Sequence, residues 1–225
     1  MTALDLTKQM LQEKNTFFQE LLEGNFSKQK TLQLLLTALF CFALFGVIIG
    51  GSHSPLQSIS SAVKLPVLFL LTGLICFPTL YFFLAVFGTK LSAGQLAGFG
   101  IGTLAFMGMA LLAFAPLSLF FLITTHNYVL FKLINVLVFA IAGFSGIYLY
   151  LQHLRGILDR MQDPSSRRKA SIFLLLWLGQ FALIGAQLSY ALSPFFGYPD
   201  ESFQLLTSGE SDFFTDILET LWRLI

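Results

Sequence analysis

The stretch from Leu91 to Thr125 constrains the fold most, because it contains no charged residue along its whole length. An α-helix rises about 1.5 Å per residue, so this stretch would extend about 50 Å, well beyond a hydrocarbon core of about 30 Å. Pro116 lies in its second half, and a proline, which lacks an N–H, kinks or ends a helix. The stretch therefore predicts a central membrane helix, against which the others pack and which bends or divides near Pro116.

Composition extends this prediction to the whole chain. Hydrophobic residues make up 56% of the sequence and charged residues 11%, with a mean hydropathy of +0.77. Further apolar runs at residues 32–49, 65–87, 128–151 and 172–191 are each long enough to cross a bilayer. We expect an all-α integral membrane protein with five transmembrane helices, in which residues 50–64 form an exposed Gly/Ser-rich connection. The net charge of +1 gives no indication of nucleic-acid binding.

Both ends of the chain carry amphipathic patterns. Between residues 5 and 23, apolar side chains recur at helical spacing: Met10, Leu11, Phe17, Phe18, Leu21 and Leu22. Such a helix can lie in the membrane interface, which we favour, dock on a partner, or remain a disordered tail. Residues 211–225 predict a second amphipathic interfacial helix. The chain then divides into a cytosolic N-terminal segment 1–30, a five-helix membrane domain 31–192 and an acidic extracytoplasmic tail 193–225.

The distribution of positive charge predicts the orientation. Most of the 13 Lys and Arg residues fall in segments on the same side as the N-terminus, which is therefore expected in the cytoplasm, with the C-terminus outside it. Lys64 lies at a span end, where its stem can extend to the interface. The run Arg167, Arg168 and Lys169 precedes the fifth span. It is expected to anchor this topology and can also contact anionic lipid headgroups.

Small residues predict where helices pack closely. Gly94, Gly98 and Gly102 share one face of the central stretch, and in lipid such a face favours close backbone packing against another helix. Gly143 and Gly146 are expected to play the same role in the fourth span. The segment from Gly143 to Gly146 also matches the Gly-x-Ser-Gly of rhomboid-type serine proteases. Because His153 shares a helix with Ser145, it cannot easily act as its base, and helix packing is the better explanation.

Polar residues within the spans offer one candidate binding site: Thr72, Thr103, Asn135, Gln180 and Gln187. They predict either interhelical hydrogen bonds or a polar lining for a small-molecule or headgroup cavity. No Asp or Glu lies inside a predicted span, which disfavours proton-coupled transport. His53 and His126 lie in loops without metal-ligand spacing, so neither a metal nor another cofactor is expected.

The last span and its following turn carry a resemblance. The segment WLGQFALIGAQLSYALSPFFGYP, followed by SDFFTDILETLWRLI, is similar to poorly characterised bacterial inner-membrane proteins. In those proteins a Gln-bearing span leads into a Pro-Phe-x-Gly-x-Pro turn, matched here by Gln187, Pro194, Phe195, Gly197 and Pro199. More loosely, five spans behind an N-terminal segment resemble the Yip1 class. That likeness implies a role in membrane trafficking or shaping, without catalysis, and the first resemblance implies the bacterial inner membrane.

These observations support a functional hypothesis with alternatives. We expect a non-catalytic membrane subunit that scaffolds or anchors a complex, with the lipid bilayer and either other membrane subunits or further copies of the chain as partners. The alternative is a channel or permease for a small neutral or weakly polar solute. An enzyme acting on lipids is disfavoured, because the sequence shows no acid–base or metal constellation.

Overall fold

The computed structural model describes residues 3–24, 27–125, 127–159, 161–197 and 202–206. Within these ranges the chain forms helices and no strand: α1 Ala3–Gln12, α2 Lys14–Glu23, α3 Lys28–Gly50, α4 Pro55–Val86, α5 Ala93–Ala113, α6 Ala115–Thr124, α7 Tyr128–Leu158 and α8 Pro164–Ala191. Five units are long and apolar enough to cross a membrane, with α5 and α6 together forming the third. The predicted all-α protein with five membrane spans is thus confirmed.

The third span divides where the sequence predicted. Helix α5 ends at Ala113 and α6 begins at Ala115, with Pro116 in its first turn. At the junction the Phe114 N–H bonds to the Leu111 carbonyl, only three residues back. Since Pro116 has no N–H to continue the α-helical ladder, the two halves meet at this break.

Helix α4 begins earlier than the sequence analysis expected, so the prediction of an exposed connection over residues 50–64 was wrong. Ser54 caps the helix by accepting a hydrogen bond from the Gln57 N–H, and Pro55 occupies its first turn. Pro66 therefore lies inside a continuous helix rather than at its start. The misleading signal was polarity, because four polar side chains of this segment lie on one buried helical face: Gln57, Ser60, Ser61 and Lys64.

The closest backbone packing lies between α3 and α4, not on the predicted glycine face of α5. A Cβ atom on Gly46 would overlap the Ser61 carbonyl, and one on Gly50 would overlap that of Gln57. Gly46 and Gly50 form a small-xxx-small pair that lets the two helices approach closely. Around this hairpin, α5 packs on α3, α8 on α4 and α7 on α5.

The N-terminal helices lie at the end of the bundle where α3 begins, called here the N-side. Helices α1 and α2 pack against α3, α5 and α7. Among their apolar residues, Met10, Phe17 and Phe18 are completely buried. Apart from Leu11, which is 55% exposed, the apolar face predicted to enter the membrane interface is therefore covered by the protein's own bundle. Helix α2 ends at Gly24, which has a left-handed φ of 80°.

Two of the α5 glycines that were predicted to pack against another span pack against side chains of α2. A Cβ on Gly102 would lie 2.7 Å from Leu21 Cδ1 and 3.2 Å from Phe18 Cε1, and one on Gly98 would lie 3.8 Å from Leu21 Cδ2. The glycine face thus accommodates bulky side chains of an amphipathic helix, whereas close approach to another span's backbone was expected. The predicted C-terminal helix 211–225 and most of the acidic tail lie outside the described residues.

Candidate functional site

A cavity of about 420 Å³ lies among the five spans, in their N-side half. Its walls come from α3, α4, α5, α7 and α8, and representative lining residues are Leu35, Gly73, Gly100, Met107, Tyr150 and Trp177. Ligand sites in proteins usually measure about 300–1,000 Å³. The cavity is therefore large enough for a small molecule or for part of a lipid.

Glycines on α4 and α5 explain why this space exists. A Cβ on Gly100 would meet no atom within 4 Å, and one on Gly73 would meet only Leu104 Cδ1, at 3.9 Å. Both glycines line the cavity. Because neither presents a side chain, the wall between α4 and α5 stays open. Gly146 of α7 behaves differently, since a Cβ there would overlap the side chain of Met107.

One wall of the cavity is aromatic. Tyr150 and Trp177 line it with rings that lie 5.6 Å apart between centroids and nearly parallel, and the completely buried Phe99, which does not line the cavity, packs against Tyr150 at 4.7 Å. The Trp177 indole N–H donates a 3.0 Å hydrogen bond to the Cys76 carbonyl of α4. The indole hydrogen bond joins α8 to α4, and the stacked rings join α8 to α7. Together these contacts hold the aromatic wall in place.

The lining is predominantly apolar. Thr103 contributes a hydroxyl, but that hydroxyl donates to the Phe99 carbonyl of its own helix at 3.0 Å. Tyr150 is 8% exposed, and its hydroxyl makes no hydrogen bond to the residues that the structure describes. Leu74 also lines the cavity and is 68% exposed, which shows that the space reaches the outer surface of the bundle. At this depth, in a bilayer, that surface meets lipid chains.

Of the five polar residues predicted to line a cavity, only Thr103 does so. Thr72 is buried, and its hydroxyl bonds to the Leu68 carbonyl of its own helix at 2.8 Å. Gln187 is exposed and Gln180 is partly buried, and neither contributes to this wall. Sequence position shows that these residues lie within spans, but the helix rotations that decide which way each faces depend on packing.

Asn135 serves as an interhelical hydrogen-bonding group, which was the other predicted role. The Ser118 hydroxyl of α6 donates to Asn135 Oδ1 at 2.8 Å, and Asn135 Nδ2 donates to the Phe131 carbonyl at 2.9 Å. Asn135 and Ser118 are both completely buried. Their bond joins α6 to α7, so the pair satisfies polar groups that lipid cannot.

At the opposite end of the bundle, the buried polar face of α4 binds residues 193–197. Gln57 Nε2 and Lys64 Nζ both donate to the Pro194 carbonyl, Lys64 at 3.2 Å, and the Ser61 hydroxyl donates to the Phe195 carbonyl. Lys64 is only 6% exposed. Its stem was expected to extend to the interface, whereas the structure buries it and its ammonium group bonds to the Pro194 carbonyl of the 193–197 loop.

The same loop is held at two further points. The Ser52 hydroxyl donates to the Phe196 carbonyl at 3.1 Å, and the Tyr128 hydroxyl donates to the Gly197 carbonyl at 2.7 Å. Gly197 has φ of +75°, and a Cβ there would overlap the ring of His53. The Pro-Phe-x-Gly part of the turn thus closes this end of the bundle, whereas Pro199 and His126 lie outside the described residues.

The remaining predicted sites are separated in space. Gly143 would meet nothing within 4 Å, and Gly94 only Ser92 Oγ at 4.0 Å, so neither packs against another helix. The Ser145 hydroxyl donates to the Ala142 carbonyl at 2.8 Å. The His153 ring lies beside that of Phe18, 5.5 Å between centroids. Ser145 and His153 therefore do not form the pair that a serine protease requires.

The basic run lies in the first turn of α8, at the N-side. Asp163 caps this helix, and hydrogen bonds from the Ser166 side chain and from the backbone N–H groups of Ser166 and Ser165 hold the pKa of its carboxyl below the usual range. Arg167 lies 4.0 Å from Asp159, while Arg168 and Lys169 are exposed. Headgroup binding by the run stays a prediction.

The fold and cavity together define a helical multi-pass membrane protein with an apolar chamber that opens sideways. Comparison with protein-family models, curated proteins and solved structures finds no match to the chain. The two resemblances described from the sequence therefore stay predictions. A cavity with a polar lining was one alternative from the sequence, whereas this apolar cavity was not predicted. The signal that could have found it is the pair Gly73 and Gly100, which lie on separate helices and gain meaning only when those helices face each other.

Proposed function

We propose that this protein is a non-catalytic membrane protein that holds an acyl chain of a bilayer lipid in its central cavity. The observation that supports this function best is the cavity of about 420 Å³, lined from all five spans and reaching the bundle surface at Leu74. Lipid chains are the solvent at that surface, so their local concentration is very high. Mass action then favours occupancy even when the affinity is modest.

The chemistry of the walls selects the occupant. A polar solute would lose its hydration and gain few hydrogen bonds, because Thr103 and Trp177 already bond within the protein. An alkyl chain gives up no hydrogen bond on leaving lipid, and it exchanges its contacts with lipid for contacts with the aromatic wall. A permease path also needs a continuous polar lining, and among its five predicted residues only Thr103 lies at the cavity.

Filling the cavity tests this proposal. In Gly100→Leu the new side chain enters open space, because a Cβ at this position meets no atom within 4 Å, so it should displace the lipid chain without distorting the helices. Gly143→Leu is the matched control, because it makes the same change at a helical glycine that also has no neighbour within 4 Å and does not line the cavity.

The measurement is the lipid retained by protein purified in mild detergent, quantified by native mass spectrometry. We expect bound lipid in the wild type and in Gly143→Leu, and a loss of about tenfold in Gly100→Leu, which corresponds to about 1.4 kcal/mol. Equal retention in Gly100→Leu and Gly143→Leu would contradict the proposal. Matching elution volumes and unfolding temperatures establish that all three proteins are folded.

The scaffold function and the cytoplasmic N-terminus expected from the sequence stay predictions compatible with this proposal. Helix α8 is the span with the smallest buried share, 11% of its apolar window compared with 39% for α3. It therefore offers the most surface to lipid or to another membrane subunit. Purification in mild detergent followed by mass analysis would detect such a subunit or a homo-oligomer, and a single monomeric chain would count against the scaffold.

A further inference from the structure

The hydroxyl of Tyr150 can donate a hydrogen bond, but none of the described residues accepts one from it. It belongs to a residue that is 8% exposed and lines the central cavity. Its ring is fixed between those of Phe99 and Trp177, at 4.7 and 5.6 Å. The hydroxyl retains accessible surface, since the fully buried unpaired side-chain atoms of the described residues are Gln57 Oε1 and Ser60 Oγ. A donor without an acceptor in apolar surroundings costs free energy, so native proteins usually pair such groups.

Neither of the other polar side chains in the cavity wall is bonded to the Tyr150 hydroxyl. The other hydroxyl of the wall, on Thr103, bonds to the Phe99 carbonyl, and the Trp177 indole bonds to Cys76. A phenylalanine would make the same stacking contacts without introducing an unused polar atom. The hydroxyl therefore indicates an acceptor that belongs to the occupant of the cavity.

The depth of Tyr150 identifies what kind of acceptor reaches it. Helix α7 continues for about two turns beyond Tyr150 and ends at Leu158, roughly 12 Å further along its axis. Exposed Arg168 and Lys169 lie at this same N-side and belong at the headgroup level. Each headgroup layer is roughly 5–8 Å thick, so Tyr150 lies near the boundary between headgroups and hydrocarbon. In a glycerolipid, the ester carbonyls occupy that boundary.

We propose that Tyr150 donates a hydrogen bond to an acyl ester carbonyl of a glycerolipid whose chain enters the cavity past Leu74. This inference rests on the proposed function and specifies its ligand class as a diacyl lipid of the N-side leaflet. The aromatic wall contacts the chain, and the phenol recognises the ester at its head. An alkyl ether at the same position offers a much weaker acceptor, so the site distinguishes ester from ether linkages.

A competition between two lipids tests this inference. The probes are dioleoyl phosphatidylethanolamine and its dialkyl ether analogue, which share headgroup and chain length and differ in mass. Full-length protein, delipidated by detergent exchange, receives both in equal amounts, and native mass spectrometry gives the ratio of the two complexes. A neutral hydrogen bond contributes about 1 kcal/mol, so the wild type should prefer the diester about fivefold.

Two variants separate recognition from packing. Tyr150→Phe retains the ring and removes only the hydroxyl, and its diester-to-diether ratio should fall to about one. Tyr148→Phe removes the same atom from a tyrosine of α7 that is 64% exposed and does not line the cavity, and its ratio should stay at the wild-type value. A preference that persists in Tyr150→Phe, or a wild type without preference, would overturn the inference.

Failure of this inference differs visibly from failure of the proposed function. If the wild type binds both lipids equally and Gly100→Leu binds neither, the chain occupies the cavity but Tyr150 does not recognise an ester. If Gly100→Leu binds as much lipid as the wild type, the cavity is not the lipid site, and both proposals fall together.

Discussion

The two ends of the bundle use the same helix, α4, in opposite ways. Near its beginning, α4 buries Gln57, Ser61 and Lys64, and carbonyls of the 193–197 loop accept their hydrogen bonds. Further along, Gly73 and Phe77 line a cavity with an apolar wall. The first end is filled by the chain's own backbone, whereas the second keeps a space that no described residue fills.

This contrast shows that the rigid part of the molecule and the proposed binding site lie at different places along the same helix. Hydrogen bonds between buried polar groups specify one arrangement, because they form in only one geometry, and those of Gln57, Ser61 and Lys64 accordingly hold the 193–197 loop on α4. Apolar walls tolerate exchange of their contents, because dispersion contacts have no direction. A fixed end and an adaptable end on one helix suit a protein that retains a lipid chain without losing its fold.

The largest expected effect comes from breaking the fixed end. Gly46→Leu would place a side chain against the Ser61 carbonyl, and backbone cannot yield as a flexible side chain can. We expect a cost of about 3 kcal/mol, a large share of the stability of an ordinary domain, and loss of monodisperse protein in size-exclusion chromatography. Gly100→Leu, at the cavity end, should elute normally. Similar behaviour of the two variants would remove the distinction between the ends.

A smaller loss of stability is expected from a substitution that disturbs only the 193–197 loop. Gly197→Ala introduces a Cβ at φ of +75° and also overlaps His53, whereas Gly88→Ala meets only the backbone cost, since φ is +86° and no atom lies within 4 Å. The backbone term is about 1–2 kcal/mol in each variant. We expect Gly197→Ala to lower the unfolding temperature clearly more than Gly88→Ala does, as measured by differential scanning fluorimetry in detergent.

The role of His53 in that difference can be checked separately. Adding His53→Ala to Gly197→Ala should restore the part of the unfolding temperature that Gly197→Ala loses beyond the loss in Gly88→Ala. A double-mutant cycle with His53→Ala alone corrects for other contacts of the ring. Equal melting temperatures of Gly197→Ala and Gly88→Ala would show that the loop does not pack as tightly as its contacts indicate.

The smallest expected effect lies at the N-side surface, where α8 is held by a cap. The pKa of the Asp163 carboxyl is lowered by hydrogen bonds from Ser166 and Ser165, so its contribution to stability is present above the ordinary carboxyl range and is lost as the pH falls through the lowered value. Asp163→Asn preserves the cap geometry and does not titrate.

The measurement is the unfolding temperature of wild type and Asp163→Asn in detergent, from pH 7 down to the lowest pH at which both proteins stay in solution. We expect the wild type to lose slightly more stability than Asp163→Asn below about pH 4, where carboxyl groups begin to protonate. An identical pH dependence of the two proteins would show that the exposed cap adds nothing measurable.

Local features of the sequence determined the elements of this fold. The uncharged runs required helices, because only a helix or a closed barrel satisfies its backbone in lipid. Pro116 fixed the division between α5 and α6, since the missing N–H acts wherever the helix lies. The turn at residues 193–197 was also recognisable from its Pro-Phe-x-Gly pattern, although its binding partners were not.

Tertiary structure alone decided which faces meet. The periodicity of residues 5–23 predicted an apolar face but not its packing partner. In the structure Phe18 and Leu21 of this face pack on the α5 glycines at positions 98 and 102. Likewise, the polar residues 57–64 resembled an exposed loop, whereas carbonyls of the 193–197 loop, distant in sequence, accept hydrogen bonds from three of them. The cavity arises because Gly73 of α4 and Gly100 of α5 both line it without presenting a side chain. Each helix forms from local hydrogen bonds, whereas its rotation depends on contacts between residues far apart in the chain.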